Sequence, residues 1–488
     1  MSLTTALNIA QSALFNTTRQ TTVVSQNISN SGNADYARRS ATVVSTSPGA
    51  TVVNIQRTTD DVLFRSNLQA LSSYQGQSTL LNGMENLDQA VNGVDNADSA
   101  ASALGDFQQA LNLYSATPSN TSLGENTIES ARQLVRNLND GTQAIQSFRT
   151  DMDNQISQAV GDLNNLLNSF NQANRAIVAG NQTGADVSDI EDQRDGLLKQ
   201  ISQYVSISTI KRGNGDMVLM TSDGATLYET VPRTVTFDPT AGYSATTVGS
   251  AIKVDGVPLS AGTGGNTTAS GSLQAMVQLR DSTATTMQSQ LDEIARGLIS
   301  SFAEKDPSGT ATLPDTPGLF TWPGAPAMPA DGTLVPGLAG LIKVNPAMDS
   351  TVGGSASVLR DGGAGGTGYV ANTAGNASYS DLLIGYSQNL DKPIAFDPAA
   401  GAGSNASVMT YSTNAISSFE AARKDASDAA DNKNALMTRT AQALSNSTGV
   451  NIDEEMSTLL DLEHSYQASA RMISTVDSML GALLDAVS

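Results

Sequence analysis

A run of three carboxylates near the C-terminus has the residue types for acid–base chemistry. Asp453, Glu454 and Glu455 are consecutive, and paired carboxylates can act as general acid and base. However, Asn451 precedes them, and an asparagine followed three residues later by glutamate is a typical helix start. Negative charge is also favoured at a helix N-terminus by the helix dipole. We therefore interpret this cluster as a capped helix start and not as a catalytic pair.

A second acidic run could suggest a calcium site. Its members are Asp186, Asp189, Glu191, Asp192 and Asp195. The run lacks the loop glycine and the twelfth-position glutamate of a calcium-binding loop. Ser188 and Glu191 have the spacing of a capping box, in which two side chains bind backbone amides of the first turn. The sequence therefore predicts a capped helix with a solvated acidic face.

The remaining chemical candidates are isolated. The chain has no cysteine and one histidine, His464, which excludes disulfides and His/Cys metal clusters. We expect His464 to fill or edge a helix–helix seam. Residues 362–368 are glycine-rich without the Lys-Ser/Thr of a phosphate loop, so we predict a flexible loop. Trp322 with Asp315 or Asp331 could bind a sugar, which leaves a secreted glycan-binding or hydrolytic protein as an alternative. We expect no catalytic residue, metal or cofactor.

Composition favours a polar, weakly charged surface. The chain has 488 residues, of which 15% are charged, against about 25% in an average domain. Such a surface suits close packing of like subunits. Its net charge of −21 disfavours nucleic-acid binding. We predict no membrane insertion, and the start of the chain does not resemble a conventional secretion signal.

The strongest pattern is an apolar stripe at each end of the chain. The N-terminal stripe consists of Leu3, Leu7, Ala10, Leu14, Thr17, Thr21, Val24 and Ile28. The C-terminal stripe contains Ile452, Met456, Leu459, Tyr466, Ala470, Ile473, Val476, Leu480, Leu483 and Val487. A lone helix cannot bury a narrow stripe. The two helices could pair within one chain as an intramolecular coiled coil. Thr17, Thr21 and Glu463 would weaken such a coiled coil, so we predict that the stripes form an interface between subunits.

Periodicity between the ends predicts a mainly α fold with β-rich insertions. Helices are predicted over 2–30, 60–91, 100–114, 127–179, 188–205, 271–304, 407–445 and from 451, with a β-hairpin over 40–57 and β-structure over 205–265. The 306–404 region, rich in Gly and Pro, is predicted to be a small β-domain or a poorly ordered insertion. The order predicts a multi-domain rod, with the terminal helices paired at one end, a long helical bundle, and β-rich middle domains projecting outward.

We expect four domains from this order. They are a terminal helical coiled-coil domain (1–36 and 446–488), a helical bundle with a β-hairpin (37–205, 270–305 and 405–445), a β-rich domain (206–269) and a Gly/Pro-rich loop/β insertion (306–404).

Several short segments resemble the flagellar rod, hook and hook-associated proteins. They are Asn27-Ile28-Ser29-Asn30, Tyr36-Ala37-Arg38-Arg39, Gly449 to Glu455, Tyr466-Gln467-Ala468 and Ile473-Ser474-Thr475. Asp189 to Leu198, Gly271-Ser272-Leu273 with Leu279-Arg280-Asp281, and Ile55-Gln56-Arg57 resemble the hook-associated protein 1 family in particular. One departure is Asn33-Ala34-Asp35, where that family usually has Thr-Pro-Gly.

The resemblance implies a structural adaptor in the bacterial flagellum and not an enzyme. Such proteins are exported unfolded through the flagellar type III apparatus without a cleaved signal peptide, and their terminal helices form coiled coils on assembly. The implied partners are copies of the chain in a ring-like layer, the hook protein, the second hook–filament junction protein, and a cytoplasmic export chaperone on residues 451–488. The alternatives within this class are a hook protein and a flagellin.

Overall fold

The computed structural model describes residues 3–46, 49–259, 266–310 and 312–486. Ser47, Pro48, Val487 and parts of the predicted terminal and β-rich domains lie outside these ranges. The α-helices are α1 (Leu3–Ser29), α2 (Asp61–Asn92), α3 (Ala100–Ala116), α4 (Thr121–Thr183), α5 (Ser188–Tyr204), α6 (Ser272–Gln278), α7 (Ala284–Ser301), α8 (Ser357–Asp361), α9 (Asp381–Asp391), α10 (Val408–Thr448) and α11 (Ile452–Asp485).

The strands are short and pair only in antiparallel fashion within the described residues. They are β1 (Arg39–Thr46), β2 (Gly49–Arg57), β3 (Ile207–Lys211), β4 (Met217–Thr221), β5 (Thr226–Tyr228), β6 (Val235–Thr236), β7 (Lys253–Val254), β8 (Val257–Pro258), β9 (Phe320–Thr321), β10 (Lys343–Val344), β11 (Ile394–Ala395) and β12 (Asn405–Ala406). The sheets are the hairpins β1–β2, β9–β10 and β11–β12, and the triplets β3–β4–β5 and β6–β7–β8. The predicted mainly α class with β-rich insertions is confirmed.

Helix α4 is the longest element and forms a central member of the bundle. It has 63 residues, which at 1.5 Å per residue is about 95 Å. It extends beyond the predicted 127–179 at both ends. The Asn120 side chain accepts from two first-turn amides, and Gly184 ends the helix in the left-handed conformation. Its apolar stripe, including Leu134, Leu163 and Phe170, is fully buried against the neighbouring helices.

Helix α1 packs against α11 and against the β1–β2 hairpin. Val52 donates from its amide to Asn16 Oδ1 at 2.9 Å, and Arg19 Nη1 donates to Val52 O at 3.1 Å. The Asn16 and Ser12 side chains also donate to Ala50 O. Polar side chains of α1 therefore hold β2 along the helix by hydrogen bonds, while the apolar stripe of α1 packs against α11.

The helix predicted over residues 271–304 is interrupted by one wide turn. Leu279–Thr283 is a π-helical turn between α6 and α7, and such turns are frequent at functional sites. The turn contains Arg280, which is almost fully buried. The bulge places its guanidinium against the loop before β7, where it donates to Ser250 O at 2.8 Å.

The described part of the Gly/Pro-rich region over residues 306–404 has defined elements and packs on the helical bundle. Phe320 makes edge-on contacts with Phe107 and Phe302, with ring centroids 5.7 and 5.3 Å apart. Leu338 and Ile342 have no exposed surface. The region thus shares its apolar core with the helices, a packing that local composition does not encode.

A buried carboxylate also anchors this region, and it should make stability depend on pH. Asp292 accepts from the amides of Gly337 and Ala339 at 2.8 and 2.9 Å. Burial raises its pKa from 3.8 to about 6, against the opposing effect of these hydrogen bonds. The folded state therefore holds the proton more tightly, so the stability that it contributes is present below about pH 4 and is lost as the pH rises through about 6.

We expect wild-type stability to fall, relative to Asp292→Asn, by on the order of 2–3 kcal/mol between about pH 4 and pH 7. Chemical denaturation of both proteins across this range measures the difference. Parallel pH profiles for the two proteins would show that Asp292 does not titrate as described.

Two helical glycines provide a matched pair for testing helix packing. A Cβ at Gly76 in α2 would lie 2.6 Å from the backbone of Ala269, whereas a Cβ at Gly105 in α3 meets nothing within 4 Å. We expect Gly76→Ala to destabilise by about 1–3 kcal/mol and Gly105→Ala to stabilise by about 0.5–1 kcal/mol. Thermal unfolding measures both changes, and equal effects of the two substitutions would contradict the close approach of α2 to residue 269.

Candidate assembly joint between the terminal helices and the body

A fully buried asparagine lies where the terminal helices meet the rest of the chain. Asn27, near the end of α1, donates to Arg39 O at 2.9 Å and to Glu455 Oε2 at 3.0 Å. Its Oδ1 accepts from the Tyr36 hydroxyl at 2.8 Å and from the Arg39 amide at 3.1 Å. These four bonds use both donors and both acceptor positions of the amide. Asn27 therefore connects α1, the loop before β1 and the first turn of α11.

The start of α11 is held by a second set of contacts. Arg38 Nε donates to Glu455 Oε1 at 2.7 Å, and the Arg38 amide donates to Thr448 O at 2.8 Å. The Asn451 side chain accepts from two first-turn amides at 3.0 and 3.4 Å, which confirms the predicted cap. Glu455 does more than complement the helix dipole, because it is buried and ion-paired.

Two arginines of the hairpin bind the acidic side of α5. Arg39 and Arg57 lie opposite each other in the register of β1 and β2. Asp192 accepts from Arg57 Nε at 2.6 Å and from Arg39 Nη2 at 3.0 Å, and Asp195 accepts from Arg57 Nη2 at 2.5 Å. Burial alone would lower the pKa of Arg57, yet Asp195 and Asp192 raise it above the usual range. We refer to Asn27, Tyr36, Arg38, Arg39, Arg57, Asp189, Asp192, Asp195 and Glu455 as the joint.

These contacts correct the predicted solvated acidic face. Asp192 is only 8% exposed, while Asp189 has a side chain that is 87% exposed and touches the same Arg39. The predicted capping box is also wrong. Ser188 begins the helix and donates from its hydroxyl and its amide to Asp186 Oδ1 at 2.7 and 3.0 Å. Asp186 lies two residues before Ser188 and takes both of these hydrogen bonds. Glu191 instead lies 3.9 Å from Lys211 Nζ.

The other side of α5 is tied to the β-rich region. Arg194 is 1% exposed and donates to Asn174 Oδ1 of α4 at 3.0 Å and to Gly215 O at 2.8 Å. Asn174 also accepts from the Met217 amide at 3.1 Å. Helix α5 therefore connects the β1–β2 hairpin on one face with α4 and the β3–β4–β5 sheet on the other.

Arg280 lies in one of the segments that resemble hook-associated protein 1, and it also binds a buried carboxylate. We refer to the contacts of Arg280 and Arg149 described next as the Arg280 clamp. Arg280 Nη1 and the Tyr243 hydroxyl donate to Asp153 Oδ1 at 2.6 and 2.7 Å. Arg149 donates to Ser244 O and Thr247 O at 2.9 and 2.7 Å. Buried charged side chains are therefore hydrogen-bonded on both sides of the β-rich region, as the cost of burying an unsatisfied charge requires.

The structure brings the N-terminal stripe together with α11. Of its eight residues, Ala10, Thr17 and Val24 are buried, and the other five are half-buried. The C-terminal stripe is divided, because Val476 is buried and Leu459 and Ile473 are half-buried. The exposed members are Ile452, Met456, Tyr466, Ala470, Leu480 and Leu483. Pairing within one chain thus satisfies the first stripe and only part of the second.

The other candidate residues have ordinary partners. His464 is exposed and does not edge the α1–α11 seam as predicted, because the buried side chains of α11 are Glu455, Ser469 and Val476. The Trp322 indole donates to Ala327 O at 2.9 Å. Asp315 and Asp331 pair with different cations, at 3.7 and 3.8 Å.

The glycine-rich segment, predicted to be a flexible loop, is a loop with a defined anchor. The amides of Ala364 and Gly365 donate to the buried Glu304 carboxylate at 2.9 and 2.7 Å. Across the described residues, no group of three or more His, Asp or Glu side chains is arranged to hold a metal ion. The described helices also include none that is long and apolar enough to cross a bilayer.

The sequence reasoning missed Arg57, Asp192 and Asp195 as joint-forming residues. One signal could have found them. Asp189, Asp192 and Asp195 recur every third position on a predicted helix, and the hairpin places Arg39 opposite Arg57. Paired arginines and a row of carboxylates are complementary, but the contact joins elements about 135–153 residues apart.

Two protein-family models and one curated relative match this chain. Residues 84–319 match the flagellar hook-associated protein FlgK helical domain, and residues 441–486 match the flagellar basal body rod FlgEFG protein C-terminal family. The chain is 21% identical over 460 residues to flagellar hook-associated protein 1 of Bacillus subtilis (strain 168), covering 90% of this chain and 85% of that protein.

A solved structure has the same fold. The flagellar hook junction protein FlgK from Burkholderia pseudomallei superimposes with a TM-score of 0.57 at 12% identity, covering 78% of this chain and 99% of that chain. The helical-domain match includes all of α4 and α5 and the Arg280 clamp, and the C-terminal match includes Glu455 of the joint. The chain is therefore similar, in both sequence and fold, to the flagellar hook-associated proteins of the FlgK type.

Proposed function

We propose that this chain is a structural adaptor that joins the flagellar hook to the filament through the next junction protein, and that it is not an enzyme. The observation that carries this proposal is the joint. It anchors the paired terminal helices to the body through buried polar contacts, while apolar side chains along α11 stay exposed. The names of its relatives, a hook-associated protein and a hook junction protein, support the same role.

The exposed apolar side chains of α11 support assembly through the terminal helices. Those that are at least 45% exposed are Ile452, Met456, Leu460, Tyr466, Met472, Met479, Leu483 and Leu484. At 100° per residue, Ile452, Met456 and Leu460 lie on one side of the seam with α1, and Met472 and Met479 lie on the other. A single α1 cannot cover both sides. Neighbouring copies in a ring-like layer would bury them, with the hook protein and the second junction protein as axial partners.

Deletion of the gene in its source bacterium tests the function. We expect normal hooks without filaments in electron micrographs and flagellin lost to the medium. Missing hooks would favour the alternative of a hook protein. Hooks without filaments but with no flagellin in the medium would favour a flagellin. Intact filaments would contradict the adaptor role and direct attention to glycan binding by the 306–404 region.

A charge placed on α11 should block assembly without unfolding the chain. We expect Met456→Glu with Leu483→Glu to lower incorporation into flagella by about tenfold or more, because burying each side chain contributes about 1.5–3 kcal/mol. Immunoblots of purified flagella and of the medium measure this. Val248→Glu is the control, since Val248 is 87% exposed on the β-rich region. Equal incorporation of both variants would contradict assembly through α11.

We further propose export through the flagellar type III apparatus without a cleaved signal, with a cytoplasmic chaperone holding residues 451–488. Exposed apolar side chains on α11 would need protection before assembly. Removal of residues 451–488 should abolish co-purification of the chaperone from cells. Retained co-purification would place the chaperone elsewhere on the chain. We also propose that the chain has the four domains expected from its sequence and the overall shape of a rod.

A further inference from the structure

The two outer edges of the β1–β2 hairpin differ in how they are covered. On the β2 edge, side chains of α1 bind main-chain groups of Ala50 and Val52. On the β1 edge, Asn27 binds both the amide and the carbonyl of Arg39. These side chains take the place of a neighbouring strand. Beyond Arg39, the outer edge of β1 has no such cover.

The alternation of β1 identifies the main-chain groups on its open edge. The Thr58 amide donates to Arg38 O, so every second residue from Arg38 onward directs its main-chain groups to β2. The residues between them direct theirs away from β2, and beyond Arg39 they are Ala41, Val43 and Ser45. Their N–H and C=O groups have no hydrogen-bond partner among the described residues.

This edge is accessible and unprotected. Val43 and Val44 are 41% and 45% exposed, and Ser45 is exposed. The segment from Ser40 to Thr46 contains no charged residue and no proline, although these are the residues that usually keep an exposed edge from pairing with another chain. An open edge of this kind can accept an extended polypeptide segment as an additional strand.

The open edge of β1 is complementary to itself. In an antiparallel pair centred on Val43, Ala41 lies opposite Ser45 of a second copy, and the two Val43 residues lie opposite each other. Each of these pairs exchanges two main-chain hydrogen bonds, so every open group finds a partner. Asn27 closes the edge at Arg39 on one side, and β1 ends at Thr46 on the other. A shifted register would leave some of the open groups unpaired.

The side chains and the charge of the edge also suit a second copy. In the same register, Thr42 lies opposite Val44 of the other chain, and such β-branched cross-strand pairs stabilise a sheet. Each chain carries a net charge of −21, so two copies repel each other over most of their surfaces. Contact through an uncharged strand avoids placing like charges opposite each other.

We propose that β1 pairs in antiparallel fashion with β1 of a second copy, which joins two hairpins into one four-stranded sheet. A sheet of this size is more stable than a two-stranded hairpin. The contact is two-fold symmetric and closes on itself, so it cannot continue from copy to copy around a ring. The dimer is therefore a state of the chain outside the assembled layer, and it does not depend on the proposed function.

Single cysteines test the pairing, because the natural chain has none. Opposite residues of a hydrogen-bonded antiparallel pair have Cα atoms about 5.5 Å apart, which a disulfide can span. Val53→Cys is the matched control, since Val53 is 55% exposed on β2 of the same hairpin, and its two copies would lie about 14 Å apart across the sheet. On air oxidation of the purified full chain, we expect at least about tenfold more disulfide-linked dimer from Val43→Cys. Equal yields would overturn the pairing.

Sedimentation equilibrium tests the same contact without a covalent bond. We expect the mass of the natural chain to rise from 50.4 kDa towards twice that value as its concentration increases. Val43→Lys places two like charges opposite each other and should weaken the dimer by at least about tenfold, whereas Val53→Lys should not. A mass that stays at 50.4 kDa at every concentration, or association that Val43→Lys leaves unchanged, would overturn the proposal.

Discussion

Replacing Asp192 by alanine is expected to destabilise the joint by about 3–5 kcal/mol. The carboxylate binds Arg57 at 2.6 Å and Arg39 at 3.0 Å, and both guanidinium groups are largely buried. Without Asp192 each arginine would keep a charge that water cannot fully solvate. Hydrogen exchange of the β1–β2 and α5 amides measures the loss, because it reports the opening of this region separately from global unfolding.

Asp189→Ala is the matched control for this loss. Asp189 lies on the same helix, three residues earlier, and contacts the same Arg39, but its side chain is 87% exposed. Exposed ion pairs contribute at most about 1 kcal/mol, so we expect a change below that value. If the two variants lose equal protection, burial is not what makes the Asp192 contacts strong.

Asn27→Ala should have the second large effect, which is separation of the terminal helices from the body. The substitution removes four hydrogen bonds at a position with no exposed surface. Each buried polar group left unpaired costs about 1–3 kcal/mol, so a total loss of 3 kcal/mol or more, roughly, is expected. Limited proteolysis should then cleave near residues 448–452 in the variant and spare the wild type, and complemented deletion cells should lose motility.

Two further variants grade this effect. Tyr36→Phe removes one of the four bonds and should cost about 0.5–1.5 kcal/mol. Asn30→Ala is the control, because the side-chain amide of Asn30 donates only to Gln26 O, one turn earlier in the chain, and not to the body. If Asn27→Ala behaves like Asn30→Ala in proteolysis and in motility, the buried network does not hold the terminal pair.

Local patterns of the sequence predicted most elements correctly. The apolar stripes predicted α1 and α11, and the hairpin was predicted within one residue of its observed Arg39–Arg57 span. Asn451 was predicted as a cap, and it is one. These features depend on neighbours within a few residues, so periodicity and turn chemistry report them directly. The ends of α4 were less accurate because capping by Asn120 extends the helix beyond its apolar stripe.

Burial of charge was not predictable from local pattern. Asp189 and Asp192 are aspartates three residues apart on the same helix, yet Asp189 is exposed and Asp192 is buried. The difference arises because two distant strands bring Arg39 and Arg57 over one part of α5 only. In the Asn33-Ala34-Asp35 segment, a local bond from the Asp35 amide to Asn33 Oδ1 at 3.0 Å is joined by a distant one, the Asp35–Lys199 ion pair of 2.7 Å.

The sequence by itself determined that this protein has helices with apolar stripes at both ends, a long bundle between them and motifs of the flagellar axial proteins. Only the tertiary structure decided that Asn27, Arg39, Asp192 and Glu455 form one buried joint and that the C-terminal stripe remains partly uncovered. The physical reason is that helix and strand formation depend on near neighbours, whereas the desolvation and pairing of charge depend on which distant segments meet.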